Sequence, residues 1–347
     1  MEQKRTVETC PVCGNPRAGN ALPGCVCAAC GFESAFAERF AGEMSRKLWA
    51  QKVETARRQI GGQRAAWLRK NMRFTLGSGE VSFLAVERGV LVKIRGNETV
   101  ETEEHVLQYD ATDRNTTILR TDGTVQVTGD DSFGQCATGG LTGITYILSG
   151  SDCTFAVSKS GSVEAVGALW AAECRDWHDI CALACGTYHL LGLQSNGRVC
   201  LGGAMLDREV LEQVKAWCDV TAVAAATDCS VALRKDGTVA FAGRKTDPRS
   251  ACKDWTDIVS VNVDSAYVVG LTANGEVRLA GSCNPLLDMG RSSARNWKHV
   301  AAIACSRSGI AGITENGELL LEGNFSGNLQ WVKDAWKKQL ERFVKEL

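Results

Sequence analysis

The sequence predicts an all-β fold, a seven-bladed β-propeller preceded by a small four-cysteine knuckle and a basic helical arm. Three observations predict it. An Asn-Gly, Asp-Gly or Ser-Gly dipeptide recurs six times at intervals of about 39 residues. A Trp stands at one constant offset before four of these turns, and two Cys-x-x-Cys-Gly motifs lie within the first 31 residues. With 36 Gly and only 5 Pro among 347 residues, the chain suits many tight turns and few proline-broken loops. A hydrophobic fraction of 44%, a charged fraction of 23% and a net charge of −1 exclude a disordered polyelectrolyte. No run approaches the ~20 apolar residues of a membrane span, so no membrane association is expected. The first 30 residues are polar and Cys-rich rather than an apolar leader, and the sixteen cysteines are therefore read as reduced thiols of a cytoplasmic protein.

The first domain spans residues 1–33. Cys10-Pro11-Val12-Cys13-Gly14 and Cys27-Ala28-Ala29-Cys30-Gly31 place thirteen residues between the inner cysteines. Four soft thiolates in this pattern match tetrahedral Zn²⁺, with Cys10, Cys13, Cys27 and Cys30 as the ligands. The segment resembles the zinc-ribbon family, which implies a rigid binding knob. Its metal is structural, since four thiolates leave no open coordination position and supply most of the folding energy of so short a segment. Cys25 is a spare thiol or a substitute for Cys27.

The arm, residues 34–73, carries Phe36, Phe40, Met44, Leu48 and Val53 at helical spacing, with Ser34 placed as a cap and Gly61-Gly62 as a break. Between residues 38 and 73 ten Lys or Arg face three Glu, a net of +7, whereas the chain from residue 74 onward carries −8. Either this is a solvated face complementing an acidic body, or it contacts phosphate or an acidic partner. The candidate contacts are Arg46, Lys47, Lys52, Arg57, Arg58, Arg64, Arg69 and Lys70. Nucleic acid is a candidate partner for residues 1–73.

Residues 74–329 form the repeat domain. Asp122-Gly123, Ser160-Gly161, Asn196-Gly197, Asp236-Gly237, Asn274-Gly275 and Asn316-Gly317 each join two short apolar-alternating runs, as two-residue hairpin turns do. Six residues after each turn Gly another Gly follows, at 129, 167, 203, 243, 281 and 323, where crowding of strand ends is expected. Trp177, Trp217, Trp255 and Trp297 all precede their turn Gly by twenty residues, and Leu141 and Glu103 hold that register in the two repeats without Trp. A degenerate unit from Val81 to Gly96 lies one period upstream, making seven.

The stretch Ala184-Cys185-Gly186-Thr187-Tyr188-His189-Leu190-Leu191-Gly192-Leu193, followed by the Asn196-Gly197 turn and preceded by Trp177-His178-Asp179-Ile180, resembles the repeat of the regulator of chromosome condensation family. The likeness covers roughly residues 74 to 329. It implies a seven-bladed propeller, often closed by pairing sequence from the two chain ends in one blade. Such propellers serve as a nucleotide-exchange factor for a small GTPase, as chromatin binders and as interaction modules. The family's His position is held here by Asn115, Cys153, His189, Cys229, Tyr267 and Gly309, so only one repeat keeps it. Cys153, His189 and Cys229 share that register, but buried core filler accounts for such cysteines better than metal does.

Repeat lengths vary almost wholly between the closing Gly and the next Trp register. Residues 207–216 read as a short helix capped by Asp207. The longest connection, Ser282 to Asn296, offers Met289, Arg291 and Arg295 as a candidate partner-binding loop. Residues 330–347 form an amphipathic helix through Trp331, Val332, Trp336, Leu340 and Phe343, which either covers the propeller rim or awaits a partner. Neither a nucleophile elbow nor a P-loop nor a zincin motif occurs, and the four histidines, at 105, 178, 189 and 299, follow the repeat. The expectation is a non-enzyme with no small-molecule substrate, a scaffold for an unidentified protein partner. Nucleic-acid binding is the rival function and GTPase exchange the minor one.

Overall fold

The computed structural model describes residues 43–77, 79–203, 208–282 and 284–343, in two compact units that part between Ala66 and Trp67. The ribbon, with Cys10, Cys13, Cys27 and Cys30, and the start of the arm lie outside the described residues. From Glu43 the arm is one helix, α1, Glu43–Asn71, whose last turn belongs to the second unit. The expected break at Gly61-Gly62 does not occur. Glycine inside a helix costs only about 1 kcal/mol, and the strong helix formers Ala56-Arg57-Arg58-Gln59 and Gln63-Arg64-Ala65-Ala66 flank the pair.

The second unit is a β-propeller of seven antiparallel sheets. Blade 1 has four strands, β1 Met72–Gly77, β2 Glu80–Ala85, β3 Val90–Arg95 and β4 Thr99–Glu103. Six three-stranded blades follow. Blade 2 is β5 Val106–Ala111, β6 Asn115–Arg120 and β7 Val125–Gly129; blade 3 is β8 Ile144–Ser149, β9 Cys153–Ser158 and β10 Val163–Gly167. Blade 4 is β11 Ile180–Cys185, β12 His189–Gln194 and β13 Val199–Gly203; blade 5 is β14 Val220–Ala225, β15 Ser230–Arg234 and β16 Val239–Ala242. Blade 6 is β17 Ile258–Val263, β18 Tyr267–Thr272 and β19 Val277–Gly281; blade 7 is β20 Val300–Ser306, β21 Gly309–Thr314 and β22 Leu319–Gly323. The first strands touch in order around the ring, and β20 meets β1 to close it.

The repeat signature is explained by how blades join. Each turn Gly of blades 2–7 has positive φ, 75–84°, and in blades 2–6 its carbonyl accepts the amide of the first residue of the next blade, as Gly89 O of blade 1 accepts from Val106 N. Thus Ile180 donates to Gly161, Val220 to Gly197, Ile258 to Gly237 and Val300 to Gly275, all at 2.9–3.0 Å. The residue just before that amide is left-handed in every case: His105, Asp179, Asp219, Asp257 and His299 at φ 55–59°, and Gly143 at 65°. Asp tolerates this conformation better than most residues, which is why the Trp-x-Asp-Ile motif holds Asp there. The Trp itself lies against the second strand of its own blade. A Cβ on Gly192 would stand 2.6 Å from Trp177, one on Gly270 2.6 Å from Trp255, and one on Gly312 2.8 Å from Trp297. The same position is Ala232 in blade 5, in one buried cluster with Trp217, and Ala156 and Ile118 in the blades without Trp.

Closure departs from the family pattern. Among the described residues no sheet mixes strands from the two chain ends. Instead the last helix in chain order, α4 Leu329–Phe343, docks its Val332, Trp336 and Leu340 on the propeller. Trp336 is fully buried, edge-on to Phe74 and Phe83 of blade 1 at 5.5 and 5.0 Å, and its indole N–H donates to Gly317 O at 2.9 Å. Gly317 is the turn Gly of blade 7, so a side chain supplies at the last seam the bond that backbone amides supply at the other six. Asn328 caps the helix by accepting from Trp331 N at 3.1 Å and ties it to blade 1 by donating its own amide to Gly96 O at 3.0 Å. Two shorter helices, α2 Arg208–Lys215 and α3 Pro285–Asp288, lie in connections between blades, the first where it was expected.

Candidate binding face

The hairpin turns and the blade-to-blade bonds share one face, and the turns between first and second strands emerge on the other. There they surround a cavity of about 530 Å³ at the mouth of the ring. Its wall takes Asp113 and Arg114 from blade 2, Asp152 from blade 3, Tyr188 from blade 4 and Arg307 from blade 7, with Phe133 from the connection between blades 2 and 3. A smaller cleft of about 290 Å³ opens beside it between blades 1 and 2. Its floor is internally satisfied: Tyr109 donates to Glu80 at 2.5 Å, and Arg95 pairs with the other Glu80 oxygen at 2.9 Å.

Phe133 and Tyr188 are each 54% exposed, and with Leu169, Leu286, Leu287 and Met289 they are six of the eight large apolar side chains left exposed among the described residues. Phe133 and Tyr188 line the mouth cavity, and the other four lie in the connections that follow blades 3 and 6. The Phe133 loop is held from within, as Phe133 N donates to Gln135 Oε1 at 2.9 Å and Cys136 N to Asp131 Oδ1 at 2.8 Å. Asp130 N is anchored on Arg114 O at 3.2 Å. This loop therefore presents Phe133 on a backbone whose polar groups are engaged.

The Ser282 to Asn296 loop is only partly available. Met289 is 44% exposed and Arg295 is exposed, but Arg291 is buried and pairs with Asp264 at 2.6 Å while donating to the carbonyls of Leu287 and Asp288. As a partner contact Arg291 is therefore corrected: its guanidinium anchors the loop. Asp264 in turn accepts from the amides of Ala266 and Tyr267, so the ion pair is fully hydrogen-bonded, as buried pairs require. A matching arrangement lies one blade earlier. There Asp228, Cys229 and Asp247 come within 4.8 Å of one another, the spacing of a metal site. Arg249 fills it, bonding Asp228 at 2.5 Å and Asp247 at 2.6 Å, and burial pushes the Cys229 thiol up to about 12. The guanidinium is the cation of that cluster.

The shared register of Cys153, His189 and Cys229 does not make a site. His189 Nε2 lies 3.0 Å from Ser230 Oγ, and burial lowers the His189 pKa, so a neutral ring bridges to the next blade. Burial likewise pushes Cys174 up to about 11 and Cys252 up to about 12. Exposed Cys181 donates to Leu193 O at 3.4 Å, as Thr145 and Thr221 donate to the equivalent carbonyls of Val157 and Leu233 at 3.2 Å. It fills a hydroxyl position of the repeat.

Of the arm's basic residues, the side chains of Arg46, Lys47, Lys52 and Arg57 lie outside the described residues. Arg58 is exposed and pairs with Glu54 at 3.0 Å, Arg64 is half-buried and Lys70 is exposed. Arg69 turns into the propeller and donates to Ala301 O at 3.0 Å. It is a tether to blade 7, which corrects its reading as a phosphate contact. The mouth residues Asp152, Tyr188 and Arg307 were not singled out by sequence, which pointed to the longest connection. Their signal was available: they occupy the two positions before the family's His position, where no two repeats carry the same pair.

No protein-family model matches the sequence, and no curated protein is similar to it. Solved structures are similar. The CRINKLY WD40 ectodomain of the Arabidopsis thaliana receptor kinase ACR4 superposes with a TM-score of 0.57 at 14% identity, covering 74% of this chain and 96% of that one. Prp20p of Saccharomyces cerevisiae, the yeast RCC1 protein, gives 0.51 at 15% identity over 77% and 85% of the two chains. The ectodomain of the Physcomitrella patens receptor kinase CR4 gives 0.53 at 11% identity over 73% of each chain. The likeness is one of fold. Prp20p has been studied for its binding to Gsp1p and histones.

Proposed function

We propose that the chain is a non-catalytic scaffold whose propeller binds a protein partner at the mouth face, with the zinc ribbon and basic arm as a second contact. The observation that carries this reading is that Phe133 and Tyr188, each more than half exposed, stand in the wall of the mouth cavity together with Arg114 and Arg307. Exposed aromatic and arginine side chains around a concavity are the residue types that dominate binding energy at protein interfaces. A second, weaker contact on the same chain raises affinity by effective concentration. In the ribbon, Cys10, Cys13, Cys27 and Cys30 hold one structural zinc per chain, and a Cys10→Ser, Cys13→Ser chain loses it while the propeller stays folded; stoichiometric zinc in that variant would refute the ligand assignment.

The test compares capture from the source cell by the whole chain, by a chain lacking residues 1–73 and by a Phe133→Asp, Tyr188→Asp chain, each with and without nuclease. A protein kept by the truncated chain under nuclease and lost from the double variant supports the platform. A catch that vanishes with nuclease or truncation moves the function to the arm and makes nucleic acid the ligand. Acceleration of nucleotide release from a captured GTPase would establish the exchange function instead.

A further inference from the structure

Asp152 lines the mouth cavity together with two exposed aromatic side chains, Phe133 from the connection before blade 3 and Tyr188 from blade 4. Its carboxylate is positioned. Trp170 Nε1 donates to Oδ2 at 3.3 Å, and the Trp170 ring is fixed against fully buried Phe155 at 5.9 Å. The other oxygen, Oδ1, is out of solvent and has no hydrogen-bond partner among the described residues. Buried Cys153 places its thiol against this carboxylate, so the group is held in place in the mouth wall. Gln135 Nε2, nearby and also without a partner, does not reach it within hydrogen-bonding distance. The residue types are those that recognise a cation: ring faces attract an ammonium or guanidinium, and the carboxylate takes its N–H groups.

The charge of the domain agrees. Residues 74–329 hold 21 Lys or Arg against 31 Asp or Glu, a net of −10. Of the cavity's two arginines, Arg114 is paired with Asp130 at 3.4 Å and Arg307 comes from blade 7, and Asp113 adds a second carboxylate to the wall. We infer that the mouth receives a lysine or arginine side chain of a basic partner segment, seated between Phe133 and Tyr188 on the Asp152 carboxylate. This rests on the platform reading and specifies its ligand.

The test uses the full chain and calorimetry at about 0.15 M salt, where long-range attraction is screened. The probe is a short capped peptide of Gly and Ser with Lys at every third position, against the same peptide carrying norleucine or Glu in place of Lys. The lysine peptide binds saturably and the other two do not. Asp152→Asn and Tyr188→Ala each weaken it by about fivefold or more at unchanged melting temperature, while Arg307→Ala leaves it equal or tighter. Absence of binding by the lysine peptide, equal binding of the Glu peptide, or indifference to both weakening variants would overturn the inference. Failure of the two readings is distinguishable. A natural partner lost with Phe133→Asp, Tyr188→Asp but held undiminished by Asp152→Asn leaves the platform standing and removes the cation seat. A partner held by all mouth variants removes both.

Discussion

The two faces of this propeller are built by opposite rules. On the hairpin face seven seams repeat one bond, a donor from the next element to the carbonyl of a turn Gly, and sequence variation is confined to which residue tolerates the left-handed position before it. On the mouth face the seven turns share no residue pair, and the connections differ in length and in secondary structure. Stability is thus concentrated where the repeats agree, and the apolar and charged side chains free to meet a partner are concentrated where they differ. The comparison predicts that substitutions on the hairpin face cost folding and those at the mouth cost binding.

The seventh seam is the sharpest place to break it, because one side chain does there what a backbone amide does elsewhere. Trp336→Ala removes a fully buried ring that packs on Phe74 and Phe83 and also leaves Gly317 O without its donor. We expect a loss of about 4 kcal/mol, seen as a lowered midpoint in chemical denaturation. Trp336→Phe keeps most of the packing and deletes only the bond, with an expected loss of about 1–2 kcal/mol. Equal losses in the two variants would show that packing alone closes the ring.

At an ordinary seam the turn Gly is the test. A Cβ on Gly161 would stand 2.8 Å from Asp179 Cα at a backbone φ of 79°, whereas one on Gly197 would be 3.3 Å from its nearest neighbour, Val220 N, at the same φ. Gly161→Ala is expected to cost about 2–3 kcal/mol and Gly197→Ala about 1 kcal/mol, the difference reporting the closeness of the two blades. Thermal melts of both variants check the order.

The same division decided what could be read from sequence. The turn Gly and the closing Gly recur six times, the Trp four times and the Asp before the first strand three times, all at fixed spacings set by one geometry, and periodicity exposes any demand made that often. Blade 1 was visible only as β2 and β3, since β1 lacks the Trp and Asp that precede other first strands and β4 has no counterpart in the repeat. Closure by α4 was legible as an apolar stripe, but the bond of Trp336 to Gly317 was not, for it joins residues by tertiary contact without a periodic signal. Arg291 and Arg69 read as surface charges because composition does not reveal that Asp264 and Ala301 O await them. Gly61-Gly62 misled in the other direction, a local breaker outvoted by its helix-forming neighbours.

Between the two faces, near the mouth end of β5, Asp110 offers a pH-dependent comparison. Its carboxylate accepts from Ser149 N at 2.7 Å, yet burial raises its pKa to about 6. A carboxyl group whose folded pKa exceeds its unfolded value of about 3.9 favours the fold when protonated. That contribution is full below about pH 4 and is lost as pH rises through about 6. Asp110→Asn should therefore stabilise the protein by about 2 kcal/mol near pH 7.5 and leave it nearly unchanged near pH 4, as melts across that range would show. A stabilisation independent of pH would assign the effect to hydrogen bonding rather than to charge.

The smallest expected effect on folding is the most informative about the mouth. Tyr188 is more than half exposed and makes no side-chain hydrogen bond among the described residues, so Tyr188→Ala should change stability by less than about 0.5 kcal/mol. The neighbouring His189 faces inward to Ser230, and its truncation should cost stability through the buried hydroxyl it leaves behind. Two adjacent residues thus separate the two rules: His189→Ala lowers the melting temperature, while Tyr188→Ala leaves it in place and weakens partner capture. If Tyr188→Ala instead destabilised the fold as much as His189→Ala, the turn would belong to the architecture of the ring, and the aromatic side chains at the mouth would lose their standing as a surface held ready for a partner.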